Sequence, residues 1–302
     1  MTPREIIAEA WAITKKEKKI RRWGFASSFL ETLLNVKLLG YQAYFAYAAY
    51  TGEEVGFFDD FIWLYNSGIP LWAFVSILVG FGFLLLMEFF VPHLCQGAII
   101  GLAAKAYKGE PLRGGLVFAL HNFFGILASH ELFVMSGWAT AVTSISLIFR
   151  YIEGTIKYPA IIGVLIIFSV SNILKFFASF SDEGIVIQKR GIFSAITQSY
   201  KLLISHLTRI MFLLILLFAI SLRILLNALM VLLIPTFIVG FALLFATFLS
   251  QWLSYLLAGI LGIILILGAS YFFAYLHVFK QTVWTLAYLS LVSKKDLDVI
   301  DI

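Results

Sequence analysis

The 302-residue chain is 61% hydrophobic, 17% aromatic and 13% charged, with a mean hydropathy of +0.96. A soluble globular chain carries roughly 45–50% apolar and about 25% charged residues, so this composition excludes an ordinary water-soluble domain. The formal charge of +5 does not imply nucleic acid: the basic residues sit at the ends of apolar runs, where they anchor to anionic lipid and set topology.

The first 22 residues carry seven Lys/Arg and no long apolar core, so no cleavable signal peptide is expected. About 20 apolar residues cross a bilayer core. On that measure spans are expected at 24–50, 70–92, 124–149, 158–180, 209–234 and 254–279. The first is the most polar, with Glu31, Asn35 and Lys37 inside it. Residues 224–279 run without one Asp, Glu, Lys or Arg, as a hydrocarbon environment demands. Two spans are preferred over three in 209–279, joined by an outer-leaflet or re-entrant segment after Pro235, where a proline ends or kinks a helix.

The fold class is therefore an all-α integral membrane protein of about six transmembrane helices with surface amphipathic helices. Alternate connections hold 17 of the 22 Lys/Arg, and the positive-inside rule places that side, with both termini, in the cytoplasm. The segment 51–69, with Glu53, Glu54, Asp59 and Asp60, then faces outward.

Each basic connection reads as an amphipathic helix leading into two spans: 4–22, 102–123 and 192–208. Laying Trp11 on Tyr200 aligns Ala10 with Ser199 and Ile13 with Leu202; the middle segment matches poorly. The chain is read as a single membrane domain, with three units at 1–92, 93–180 and 181–302 as its candidate internal organisation.

Ionisable groups inside spans usually pair or line a polar path. Glu31, Glu88 and Lys175 fall at one depth, and Lys37, Glu131 and Arg223 nearer the middle, with Arg223 and Asn227 on one face. These seven residues form the candidate polar cluster, read either as structural ion pairs or as a pathway. A second pattern is steric: Ala242, Ala246, Ser250, Ser254, Ala258 and Gly262 recur at spacing four, which lets helix backbones approach closely. His121 and His130 fall on opposite sides of one helix, and His93 with the single cysteine, Cys95, supplies two ligands, so neither metal nor cofactor is expected. No Gly-x-Ser-x-Gly and no phosphate-binding loop occurs, so no catalytic residue is assigned. Gly114-Gly115 reads as a hinge.

The segment Gly184-Ile-Val-Ile-Gln-Lys-Arg-Gly-Ile-Phe-Ser-Ala-Ile-Thr-Gln-Ser-Tyr-Lys-Leu-Leu203, before a long apolar run, resembles a set of prokaryotic polytopic membrane domains. One branch is the membrane domain fused to bacterial glycerophosphodiester phosphodiesterases. Glu5-Ile-Ile-Ala-Glu-Ala-Trp-Ala-Ile and Val283-Trp-Thr-Leu-Ala-Tyr288 fit the same plan. The catalytic phosphodiesterase domain is absent, so the resemblance implies a membrane domain in a prokaryotic plasma membrane and no enzyme activity.

The expected function is a non-catalytic accessory, scaffold or lipid-interacting component. Its expected partners are anionic headgroups, and either a second copy or another membrane protein. The alternatives are a transporter with a polar intramembrane site, and a lipid-modifying enzyme drawing on Glu88, His93 or Glu110.

Overall fold

The computed structural model describes the chain through residue 292 apart from 53–55 and 57–58, and the backbone alone at 60, 217 and 219–232. Of the described residues 87% are helical, and none is in a strand. The helices are α1 (Pro3–Lys16), α2 (Lys18–Thr51), α3 (Asp59–Asn66), α4 (Leu71–Tyr107), α5 (Gly115–Glu131), α6 (Trp138–Tyr151), α7 (Lys157–Phe177), α8 (Ser181–Gln188), α9 (Ile192–Ser205), α10 (Leu207–Ala246) and α11 (Gln251–Val292).

Among the described residues three helical stretches are long and apolar enough to cross a membrane: Leu71–Tyr107, Lys157–Gln188 and Gln251–Val292. A fourth exists if Ile192–Ser205 and Leu207–Leu216, bent by 91°, count as one. At 1.5 Å per residue α4 is roughly 55 Å long and α11 roughly 63 Å, against a hydrocarbon core of about 30 Å. Burial divides each of these helices in two. The first half of α4 exposes Trp72, Val79, Phe83 and Leu86, whereas Cys95–Ala104 is buried almost continuously. On α11, Ile263, Ile264, Tyr271 and Phe272 are exposed, while Val278–Leu291 is largely inside. The molecule thus has an apolar end that leaves large side chains bare and a compact end packed around one core.

That core unites Ile6, Ala10 and Ile13 of α1, Ile99 and Leu102 of α4, Phe180 at the start of α8, Leu202 and Leu203 of α9, and Phe279, Leu286 and Tyr288 of α11. α1 starts on a capping box between Thr2 and Glu5, which satisfies two end N–H groups. α1 and α9 bury the same phase of their surfaces: Ala10 and Ser199 are inside, as are Ile13 and Leu202, while Trp11 and Tyr200 are half exposed. Trp11 packs edge-on against Phe279 at 5.5 Å, and Tyr200 lies 5.1 Å from Phe177.

Several expected elements differ. The amphipathic helix at 102–123 is not formed: α4 continues to Tyr107, and a loop carrying Pro111 and the left-handed Gly109 and Gly114 precedes α5. The stretch 124–149 is two helices, because α5 stops at Glu131 and a 3₁₀ turn, Val134–Ser136, leads to the extended Gly137. Pro235 does not end its helix; α10 runs through it to Ala246. The apolar region 209–279 forms two helices, α10 and α11.

The small-residue stripe is divided by the turn at 247–250. Ala242 and Ala246 belong to α10, Ser250 to the turn, and Ser254, Ala258 and Gly262 to α11, so a spacing of four across the turn has no helical meaning. The α11 portion continues as a buried ridge through Ile266, Ser270 and Ala274. A Cβ at Gly262 would stand 2.8 Å from Ile238 Cδ1 of α10, so the close partner lies within the chain. Nearer the turn, Ala242, Ala246, Tyr255 and Ala258 border an open groove. At the crossing of α2 and α11, a Cβ at Gly24 would overlap the Val278 side chain.

Gly262→Leu should therefore lower unfolding stability in micelles by about 1–3 kcal/mol through overpacking. Leu256→Ala, at a half-exposed site, should change it much less. Equal effects in thermal unfolding would remove the α10–α11 contact from the account of stability.

Candidate functional site

Where the two ends meet, the helices enclose a chamber of about 390 Å³. Its wall is polar for so apolar a chain. α2 contributes Ser27 and Glu31, α4 Pro92, His93 and Gln96, and α5 Ser129 and His130. Lys175 comes from α7, Ser181 and Asp182 from the start of α8, and His277, Lys280 and Gln281 from α11. Phe133, Leu214 and Trp284 fill the apolar remainder.

Local chemistry positions these groups. Pro92 has no N–H, so α4 loses one rung of its ladder where it passes the chamber. One residue on, His93 Nδ1 donates to the Phe89 carbonyl at 2.8 Å, which leaves Nε2 as the remaining polar atom of the ring. The His93 ring meets His130 edge to face, with centroids 5.1 Å apart. His130 Nε2 donates in turn to Asp182 Oδ2 at 2.9 Å. Beside that pair the Ser129 and Ser181 hydroxyls lie 3.0 Å apart. The turn that delivers Ser181 is fixed by Ser199, whose hydroxyl accepts from Phe180 N at 2.9 Å and donates to the Phe177 carbonyl at 2.7 Å.

A relay of amides closes the chamber toward the compact end. Gln96 Nε2 donates to Gln281 Oε1 at 2.7 Å, and Gln281 Nε2 donates to Glu183 Oε1, also at 2.7 Å. The relay ties α4, α11 and α8 together. Glu183 is 1% exposed, and its second oxygen has no partner. Leaving such a group without Gln281 would carry the full desolvation penalty.

Of the sequence-derived cluster, Glu31 and Lys175 line the chamber. Lys37 and Glu88 form an ion pair of their own at 2.6 Å, about two turns from Gln96 along the axis, with the Glu88 side chain fully buried. Glu131 is exposed at the end of α5, outside the chamber lining. Arg223 and Asn227 lie in α10 where the side chains are outside the described residues, and Glu53 and Glu54 are likewise outside them. Expected pairing within each depth tier is replaced by pairing across tiers, because Lys37 reaches Glu88. Of the enzyme candidates, Glu88 is committed to Lys37, His93 lines the chamber and Glu110 sits exposed in the loop after α4.

Sequence reasoning missed Asp182, Lys280, His277, Gln96 and Gln281 as site residues. A signal existed for the last three: amides and an imidazole embedded in apolar runs face protein or water, not lipid. Chemically, the wall can hydrogen-bond and hold charge. It does not assemble an activated serine, because Ser129 meets Ser181 and not an imidazole nitrogen. Among the described residues no three His, Cys, Asp or Glu side chains converge as metal ligands.

Lys37→Met should strand the buried Glu88 carboxylate and lower unfolding stability by about 3 kcal/mol. The double variant Lys37→Met with Glu88→Leu should recover most of that loss, and strictly additive losses in a double-mutant cycle would contradict a coupled pair.

No family model, curated protein or solved structure matches this chain.

Proposed function

We propose that this chain is a non-catalytic, multi-pass membrane protein that binds a small polar ligand, a solute or a lipid headgroup, in the chamber between its two ends. The observation that carries this reading is the chamber itself: a cavity of about 390 Å³, rich in polar residues and bordered by side chains from seven helices of a chain that is 61% hydrophobic. Polar groups gathered in a bilayer protein are costly unless they satisfy each other or something that enters. Cavities with a few convergent polar groups are the usual form of ligand sites.

On this reading the compact end, where α1, α8 and α9 pack, lies at the cytoplasmic face with both termini, and the apolar end spans a prokaryotic plasma membrane in about six passes. The charge distribution supports that orientation. A groove of Lys18, Arg21, Arg22, Phe25, Tyr271 and Tyr275 beside the exposed apolar face of α11 suits anionic headgroups. In it Arg21 donates to the Tyr275 hydroxyl at 3.0 Å. The resemblance of 184–203 to membrane domains of glycerophosphodiester phosphodiesterases supports a membrane role without the hydrolytic one. Transport is the second reading, favoured by the Lys37–Glu88 pair, which sets a further polar step deeper in the bundle than the chamber.

Gentle extraction from native membranes followed by native mass spectrometry should find a bound small molecule or selected lipid. The ring-conserving variant His93→Phe with His277→Phe should lose it by at least tenfold while keeping its size-exclusion profile. Equal occupancy in both proteins, or a stoichiometric protein partner with no ligand, would turn the assignment toward an accessory role.

A further inference from the structure

Charge accounting at the chamber wall carries the reading one step further. Two ion pairs occur among the described residues, Lys37 with Glu88 and His130 with Asp182. Both acids are thereby committed, and Glu183 is committed to Gln281. Lys175 and Lys280 line the same chamber, and neither has a carboxylate within ion-pairing distance among the described residues. Lys280 lies close enough to Lys175 and to Glu31 to feel both charges. With His130 carrying the proton of its pair with Asp182, so that the pair is neutral as a unit, the wall holds two ammonium groups against one further carboxylate, Glu31. His277 adds a buried Nε2 without a hydrogen-bond partner. Both ammonium groups are exposed to this cavity, where like charges repel each other and the arrangement is relieved when an anion sits between them. An ammonium is a compact charge with three donors, suited to oxyanions that lack a fixed fork geometry.

We infer that the chamber ligand carries an oxyanion, phosphate or carboxylate, held between Lys175 and Lys280 with the amide and imidazole groups of Gln96 and His277 around it. This rests on the proposed function of the chamber and specifies its ligand class. The same chemistry belongs to a soluble phosphate compound and to a phospholipid headgroup, so the experiment separates the two.

The full chain, in neutral maltoside micelles washed free of lipid, is titrated calorimetrically with sodium phosphate, with glycerol and tetramethylammonium chloride as neutral and cationic probes. Phosphate should bind, and Lys280→Gln and Lys175→Gln should each weaken it by about tenfold. Glu31→Gln should strengthen it, a change of opposite sign that a merely structural role would not produce. Lys157→Gln, outside the chamber, should leave it unchanged. In a second arm the chain is placed in phosphatidylcholine nanodiscs containing phosphatidylglycerol and examined by native mass spectrometry. Retained phosphatidylglycerol that displaces phosphate, and that is lost in the Lys175→Gln, Lys280→Gln double variant, assigns a headgroup. Phosphate binding that the lipid does not displace assigns a soluble anion. Both outcomes support the inference. Binding of tetramethylammonium or glycerol in place of phosphate overturns it and leaves the chamber reading standing. Weakening by Glu31→Gln equal to that by Lys280→Gln overturns it as well. Absence of binding by every probe, phosphatidylglycerol included, overturns it too, while the co-purification result decides the chamber reading separately.

Discussion

Hydrocarbon gives a polar group nothing to bond with, and helices of roughly 50–60 Å cannot hide within a core of about 30 Å. The fold follows from these two facts. α2, α4, α10 and α11 are each longer than such a core is thick. Their excess length is gathered with α1, α8 and α9 into a compact end whose core runs from Ile6 to Leu291. The bare leucines, isoleucines and phenylalanines of the other end are in place only if lipid covers them.

The chamber lies where these two regimes meet. Apolar packing on the compact side is dense enough that a Cβ at Gly101 would clash with the Phe118 ring, whereas on the bilayer side the helices carry large exposed side chains. Between them the chain places Gln96, Gln281 and Glu183 in a relay and couples His130 to Asp182. These bonds join helices far apart in sequence, so they fix the wall geometry as well as satisfying the polar atoms. Helices present every chamber side chain except Phe133 in the turn after α5 and the few on the turn between α7 and α8, and that second turn is pinned by Ser199.

Parts of the site were legible in advance. Glu31 and Lys175 stood out because charge is rare in apolar runs, and both line the chamber. Glu88 and Lys37 stood out for the same reason, yet they form a separate pair, because composition gives depth along a helix but not which face meets which neighbour. Lys280 read as an interfacial anchor at the end of an apolar run. It borders the chamber because α11 continues as helix to Val292 and carries that position to the chamber wall. Asp182 read as part of a surface loop, and the turn after α7 brings it to His130, 52 residues away in sequence.

What the sequence by itself determined is the class of environment: uninterrupted apolar length, scarce charge and basic flanks specify helices in a bilayer, because transfer free energy depends on composition and length alone. It also placed helix over α1 and α9 from apolar periodicity, and over α7 from apolar length, though it ran the first segment on to residue 22 where α1 stops at Lys16. Tertiary structure decided the rest. It carried α4 past the expected boundary, since packing against α5 and α11 supports helix where local pattern suggested a new segment. It split the small-residue stripe at a turn, and it chose Glu88 as the partner of Lys37 and Asp182 as the partner of His130. Those outcomes depend on which helix faces cross, a relation between distant residues that no local pattern encodes.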